Sequence, residues 1–427
     1  MKKYLDRLPK DMQDLIRLAG EIASLRRMRA YLIGGFVRDL MLGVQNLDLD
    51  IVIEGDGITF AEDLAGRLKA RFIKHQRFGT ATIIAGNNLK IDIATARSEV
   101  YLKAAALPVV EPGFVKDDLK RRDFTINAMA ISINLSDYGY LLDFFNGKDD
   151  LTKKKIRVLH ELSFIDDPTR ILRAVRFQKR YNFQIEPRTL KLLKISVKNK
   201  MLEIVQPQRL RDELIPMLKE NNPIMQLKRL YALTGFNFIN QHLKLTKANE
   251  KLLKSTEAQI RWYNKVHSRR RKLDSWLMYF MALSGHLSVA DIRQICKKFA
   301  LRRGEQIRML SFRKATGKFI SQLHKDKLKP SVVFRMLEPL SYETTLLIKA
   351  KYDSPNVRRH IEDFLEIYNG MRIYISGHHL RSIGIEPGPV YQKIFTKVLE
   401  AKLNGLVKTE PDELALIKKL AKEMEMN

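Results

Sequence analysis

The run Tyr31-Leu-Ile-Gly-Gly-Phe-Val-Arg-Asp39, followed closely by Asn46-Leu-Asp-Leu-Asp-Ile-Val-Ile53, sets the reading of the whole chain. Residues 31–33 predict a strand, Gly34-Gly35 breaks it, and residues 37–42 predict the opening of a helix. Paired glycines let backbone N–H groups approach a ligand closely, and a helix N-terminus favours an anion. Arg38 adds a guanidinium fork suited to phosphate. Residues 47–53 predict a second strand, in which Asp48 and Asp50 stand two apart and project from one face. Two carboxylates beside a phosphate-friendly turn suit a Mg²⁺ site for phosphoryl or nucleotidyl transfer. Taken singly, the halves also read as a glycine turn and a polar strand edge; the joint pattern carries the argument.

Working outward, apolar periodicity predicts a helix over residues 1–29, with Leu15, Ile16, Leu18, Ala19, Ile22 and Leu25 on one side. Further strands are expected at 81–85, 89–93, 130–133 and 140–144, with helices near 58–70 and 117–129. This mixture is an α/β or α+β domain ending near Lys148. From Lys153 onward strand periodicity almost vanishes, and amphipathic helices follow one another, punctuated by Pro207, Pro216, Pro223, Pro330, Pro339 and Pro387. The expected organisation is a head over 1–148, a neck over 149–235, and a helical body and tail over 236–427.

The chain has 427 residues and a formal net charge of +29, from 77 basic against 48 acidic residues. That excess is self-repelling in a compact chain and points to a polyanionic partner, nucleic acid before membrane. One cysteine, Cys296, excludes an intrachain disulfide framework and a cysteine-based zinc site, in keeping with a cytoplasmic location. The N-terminus lacks an apolar signal core, and no apolar run is long enough to span a bilayer. The histidines His160, His242, His267, His378 and His379 lack metal-ligand spacing.

Three further stretches carry chemistry. Asp92 lies between isoleucines in an expected strand, where burial without a partner is costly; it can join Asp48 and Asp50 as a third catalytic carboxylate, or pair with Arg97 or a neighbour. In Leu119-Lys-Arg-Arg-Asp-Phe-Thr-Ile-Asn-Ala-Met-Ala130, Arg121 and Arg122 precede a helix-favouring run, where the macrodipole opposes cations, so an anionic ligand is expected. Asp123 and Asn127 then share a helical face and could bind sugar hydroxyls, or Asp123 could simply cap a helix. In Phe164-Ile-Asp-Asp-Pro-Thr-Arg-Ile-Leu-Arg-Ala-Val-Arg-Phe177, Asp166 or Asp167 caps a helix that opens at Pro168. Asp167 and Arg170 then offer an acceptor and a donor that match a nucleobase edge, while Arg173 and Arg176 lie further along toward phosphates. A capped surface helix with a basic face is the plainer alternative.

In this order, Gly34-Gly-Phe-Val-Arg-Asp39, Asp48-Leu-Asp50, Arg121-Arg-Asp-Phe-Thr-Ile-Asn127, Asp143-Phe-Phe-Asn-Gly-Lys-Asp-Asp-Leu151 and Asp166-Asp-Pro-Thr-Arg170 resemble the motifs of class II tRNA nucleotidyltransferases, the CCA-adding enzymes and their bacterial poly(A) polymerase relatives. The likeness is dense from about residue 30 to 180. A tail stretch, residues 375–389, also resembles the family, with His379 where relatives often carry Asp. Asp166 stands where the family usually has Glu. Residues 97–113 occupy the place of a loop that influences terminal A addition.

The resemblance implies an α+β fold: a small mixed-sheet nucleotidyltransferase head of the polymerase-beta type, followed by a long all-α neck, body and tail that hold tRNA. It implies Mg²⁺ on Asp48 and Asp50, triphosphate held by Gly34, Gly35, Arg38, Arg173 and Arg176, and phosphate and ribose contacts from Arg122 and Asp123. Asp167 and Arg170 would read the base of CTP or ATP. The expected activity is addition of C, A or both to a tRNA 3′ end. A template-independent poly(A) polymerase and a non-catalytic RNA-binding protein are the alternatives. The basic run Arg269-Arg-Arg-Lys272, with Trp262 and Tyr263 nearby, the run Lys153-Lys-Lys155 and the pair Arg302-Arg303 suit an RNA backbone. Oligomeric state is left open.

Overall fold

Alternating apolar residues build a seven-stranded mixed sheet from β1 (Arg29–Ile33), β2 (Leu49–Glu54), β3 (Arg71–His75), β4 (Thr80–Ile84), β5 (Lys90–Thr95), β8 (Ala130–Ser132) and β9 (Leu141–Leu142), in the order β3-β4-β5-β2-β1-β8-β9. Between β5 and β8 the chain makes a separate antiparallel hairpin, β6 (Arg97–Val100) and β7 (Val109–Pro112). The computed structural model describes residues 1–44, 48–76, 79–86, 89–100, 103–267 and 270–425, so the expectations that fall on Asn46, Leu47 and Arg269 lie outside it. Two compact units form, Met1–Phe238 and Ile239–Asn427.

Of the pairings in the large sheet, β2 with β5 is parallel and the rest are antiparallel. The centre is covered on both faces. Leu49, Ile51 and Ile53 are buried on one side of β2, where the helix Gly57–Leu68 brings Phe60 and Leu64. Val52 lies on the other side, in a cluster with Tyr31, Ile33, Ala96, Val115, Leu119, Ala128 and Ala130. A strand buried on both faces reads as a nearly continuous apolar run, so Asp50 within β2, and Asp48 just before it, stand out.

Three expectations are corrected. The helix expected over residues 1–29 is two helices, Lys2–Leu5 and Lys10–Leu25, because Pro9 supplies an N-cap between them. The helix expected over 117–129 is a short helix Val115–Lys120 and a 3₁₀ turn Thr125–Asn127. Phe124 is extended between them and forms a bridge with Val158. Third, the neck contains a parallel ribbon of β10 (Lys155–Ile156) and β11 (Gln184–Ile185), which two-residue strands are too short to announce by periodicity. The strand β3 was also missed, since its pattern at the sheet edge is mostly exposed.

The second unit is helical among its described residues. Its helix Tyr342–Lys351 is buried over residues 343–350, including two charged side chains. Glu343 accepts from both Nη1 and Nη2 of Arg271 at 2.9 Å and from the Asp274 N–H at 3.1 Å. Burial alone would raise its pKa, but these donors hold it down to about 2. Lys349 lies 3.5 Å from the Trp262 ring centroid and donates to Glu362 at 2.7 Å. We expect Glu343→Ala to cost about 1–3 kcal/mol, because the Asp274 N–H and the half-exposed Arg271 guanidinium lose their buried acceptor. Because the folded pKa is depressed, the stabilisation by Glu343 is present above about pH 4.5 and is lost as the pH falls toward 2. Urea titrations of wild type and variant at pH 7 and pH 3 test both: the gap between them should shrink at pH 3. No helix among the described residues is long and apolar enough to cross a membrane.

Candidate active site

At one end of the sheet, the end of β1 meets the starts of β2 and β5. Antiparallel pairing sets Leu32 opposite Ile51, so Gly34 arrives beside the start of β2. Parallel pairing sets Asp50 opposite Asp92, and the next pairing sets Thr82 opposite Asp92. The three polar residues therefore form a row across β2, β5 and β4. Asp48 is exposed at the lip and Asp50 is half-buried. Thr82 Oγ1 donates to Asp92 Oδ1 at 2.7 Å, and Lys90 Nζ pairs with Asp92 Oδ2. Asp92 thus pairs with its neighbour Lys90 instead of Arg97, is half-exposed instead of buried, and also stands beside Asp50.

Burial pushes the Asp50 carboxyl up to about 6, with Asp92 and Asp48 adding like-charge repulsion and Arg122 opposing them. A hard cation would relieve that repulsion, and carboxylate oxygens are the donors Mg²⁺ prefers. Among the described residues no group of three His, Cys, Asp or Glu side chains is gathered closely enough to hold an ion alone. A pair of carboxylates completed by substrate phosphate and water is the usual Mg²⁺ arrangement, so the residues fit that ion.

Gly34 caps the helix Gly35–Leu42 with φ 65° and ψ −126°, a backbone conformation closed to L-residues. A Cβ there would fall on Arg122 Nη1. Arg122 donates to Asp118 Oδ2 at 3.1 Å, and its Nε is buried without a hydrogen-bond partner. The guanidinium thus lies on the glycine turn, acts on Asp50 and keeps one donor unused. Its neighbour Arg121 donates to Asp118 at 2.6 Å and to Glu99 at 2.9 Å. Both arginines follow the C-terminus of helix Val115–Lys120, where the macrodipole favours cations, so the dipole argument from sequence falls away. Asp118, fully buried, is what the sequence reading missed; its spacing of three and four from the arginines was the available signal.

A second group lies deeper. Arg38 is 5% exposed: its Nε and Nη2 meet Asp39 Oδ1 at 2.9 Å, and its Nη1 donates to Asn127 Oδ1. Asn127 Nδ2 donates to Asp123 Oδ1 at 2.9 Å, and Arg173 Nε donates to Asp123 Oδ2 at 2.7 Å. Arg173 also donates to Glu213 Oε1 at 3.0 Å, and Arg176 lies 3.5 Å from Glu213 Oε2. Burial would raise the Asp123 pKa, yet Arg173 and Asn127 hold it at about 2. Arg38, Asp123, Asn127 and Arg173 are therefore bound to one another. Glu213, which lies 40 residues from Arg173, carried no local signal.

The third group is the expected base reader. Asp167 Oδ1 accepts from Thr169 N at 3.1 Å and Oγ1 at 2.6 Å, and pairs with Arg209 at 2.8 Å. The helix here is Arg170–Arg180, capped at Thr169. Arg170 is 4% exposed; it donates to Ser163 Oγ at 2.5 Å and to the Arg121 carbonyl at 2.7 Å. The two residues stand three apart in sequence and have different partners.

Other family-like stretches have architectural work. Asp143 accepts from the Gly147 and Lys148 N–H groups at 2.7 and 2.9 Å, and buried Asp150 holds Thr125 Oγ1 at 2.7 Å and Arg157 Nε at 2.9 Å. His379 Nδ1 accepts from Ser376 N at 3.0 Å, the capping task an Asp performs. In the basic run, Arg271 is engaged by Glu343, and Trp262 and Tyr263 pack on Lys349 and Tyr342.

Residues 30–157 match the model of the Poly A polymerase head domain. An A-adding tRNA nucleotidyltransferase of Geobacter sulfurreducens is 36% identical over 426 residues, 97% of this chain and 48% of that protein. One of the same name from Halalkalibacterium halodurans is 32% identical over 95% of this chain and 92% of its own length. The chain thus spans about half of the first relative and nearly all of the second. The apo form II structure of a CCA-adding enzyme matches with a TM-score of 0.80 at 34% identity, over 99% of this chain and 98% of that one. With near-complete mutual coverage, and with carboxylates, glycine turn and arginines gathered at one sheet end, the chain belongs to the class II tRNA nucleotidyltransferase family.

Proposed function

We propose that the chain adds nucleotides from ATP or CTP to the 3′ end of tRNA, and that its own step is addition of the terminal A. The observation that carries the reaction class is Asp48 and Asp50 at the sheet end, with Arg122 lying over the Gly34 turn beside them. Support for the A step comes from the A-adding relatives, which align over nearly the whole chain.

In the reaction, the 3′-oxygen of the RNA bonds to the α-phosphorus and the bond to the bridging oxygen breaks, releasing pyrophosphate. Asp48 and Asp50 would hold Mg²⁺, which when bound would neutralise phosphate charge and lower the pKa of the attacking hydroxyl. Arg122, with its unused Nε, stabilises phosphate charge beside the Gly34 turn. Arg38, Asp123, Asn127 and Arg173 fix the geometry of that turn and of the neck helix through their mutual bonds. Asp167 and Arg170 read the base after exchanging their present partners, Arg209 and Ser163, for its edge. No side-chain nucleophile is required, because positioning supplies much of the acceleration.

The deciding test supplies tRNA ending at the discriminator base or after CC, with CTP alone, ATP alone or both. One A on the CC-ended substrate, and nothing on the other, is expected. A long A ladder would replace this reading with a poly(A) polymerase, and addition of CCA would make the chain a complete CCA-adding enzyme. No incorporation of any nucleotide with Mg²⁺ present would leave an RNA-binding protein.

The charge of +29 suits the tRNA polyanion and sets a second expectation. Raising salt from about 50 to 200 mM should weaken tRNA binding on the order of 10³-fold if six or more phosphates are contacted. A filter-binding series in KCl measures the slope, and a flat one would remove the phosphate-backbone argument.

A further inference from the structure

Tyr181, the residue that closes the helix Arg170–Arg180, sends its hydroxyl to the glycine-turn helix. It donates to Asp39 Oδ1 at 2.9 Å, across 142 residues of sequence. The same oxygen accepts from Arg38 Nε at 2.9 Å. The Arg38 guanidinium carbon lies 4.8 Å from the Tyr181 ring centroid and 5.2 Å from that of Phe177. Tyr181 itself packs on Phe177 at 6.0 Å and Phe183 at 5.7 Å. One side chain therefore touches both charged residues of the turn helix, by ring and by hydroxyl.

We propose that Tyr181 is a positioning residue for nucleotide binding: its hydroxyl, through Asp39 and Arg38, fixes the Gly34-Gly35 turn against the neck. The proposal rests on the nucleotidyltransferase reading. The physical reason is the size of the element. The helix Gly35–Leu42 has eight residues, too few to hold its own orientation, so its tertiary anchors set where the turn points. Asp39 is 1% exposed and Arg38 5% exposed, so a bond lost here is not replaced by bulk water. On the far side Arg38 is tied to Asn127, and Tyr181 supplies the opposing contact from the neck. Burial pushes the phenol up to about 12, which keeps it a donor at neutral pH. An apolar side chain would fill the same space but could not reach the carboxylate.

The test compares the full chain with Tyr181→Phe and Tyr181→Leu, measuring KM for ATP, kcat and Tm on tRNA ending in CC with Mg²⁺. Tyr181→Phe keeps the ring and the core. It should raise KM for ATP about tenfold with kcat within about twofold, the size expected for one lost bond to a charged group. Tyr181→Leu, which also loses the ring over Arg38, should raise KM about 30-fold. Unchanged KM in Tyr181→Phe overturns the proposal, whatever happens to Tm or in Tyr181→Leu, and so does a fall in kcat at constant KM. A wild-type chain that incorporates no nucleotide overturns the nucleotidyltransferase reading, and this inference with it. Wild-type incorporation with unresponsive Tyr181 variants overturns the inference alone.

Discussion

Replacing Asp48 and Asp50 together with alanine is expected to abolish nucleotide incorporation, by on the order of 10³-fold or more, while tRNA binding stays close to wild type. The two carboxylates are the oxygen donors placed beside Arg122 at the sheet end. Without them no Mg²⁺ would be held, and Arg122 alone would be left to offset the charge that gathers on the α-phosphate. Folding should survive. Asp48 is exposed, and Asp50 is half-buried with its pKa pushed up to about 6 by burial and by Asp92 and Asp48. A group destabilised as a carboxylate in the folded state costs little when removed. Thermal melts and tRNA filter binding on the double variant establish that it is intact, and primer extension with labelled ATP reads the loss. Turnover near wild type in a folded double variant would remove the carboxylates from the reaction and the Mg²⁺ site with them.

The second large effect is expected from Gly34→Ala. The backbone there has φ 65° and ψ −126°, which costs an L-residue about 1–3 kcal/mol. The new Cβ would also fall on Arg122 Nη1, so the arginine must leave the turn or the turn must open. Either movement separates Arg122 from Asp50. We expect incorporation to fall by about 10²-fold or more, with only a modest loss of stability. Gly66→Ala is the matching control. It lies in the helix Gly57–Leu68, its Cβ meets nothing within 4 Å, and alanine is the better helix former. Equal activity of Gly34→Ala and wild type would show that neither turn nor arginine position matters for catalysis.

These expectations show how the sequence and the fold divide the site. The Asp48–Asp50 spacing, the Gly34-Gly35 break and the periodic helices of the neck are local patterns, and they survive in the structure. Arg121 and Arg122 are the exception. The sequence predicts an unbroken helix over 117–129, whereas the helix ends at Lys120 and Phe124 is extended and bridged to Val158, so both arginines follow a helix C-terminus. The role of Asp92 needed the register between β2 and β5, two strands separated by a helix and a hairpin.

The sequence by itself determined the mixed head, the helical remainder, the family and the local chemistry of carboxylates, glycines and arginines. These follow from backbone periodicity and short spacings, which act within a few residues. Only the tertiary structure decided which charges are free to act. Arg38, Arg173 and Arg170 looked alike as phosphate or base ligands, yet the fold gives them Asp39, Asp123, Glu213 and Ser163 as partners. Arg122 instead lies over Gly34 with a donor unused. A buried charge needs a partner, and packing between distant elements supplies it, as Tyr181 meets Asp39 and Glu213 meets Arg173.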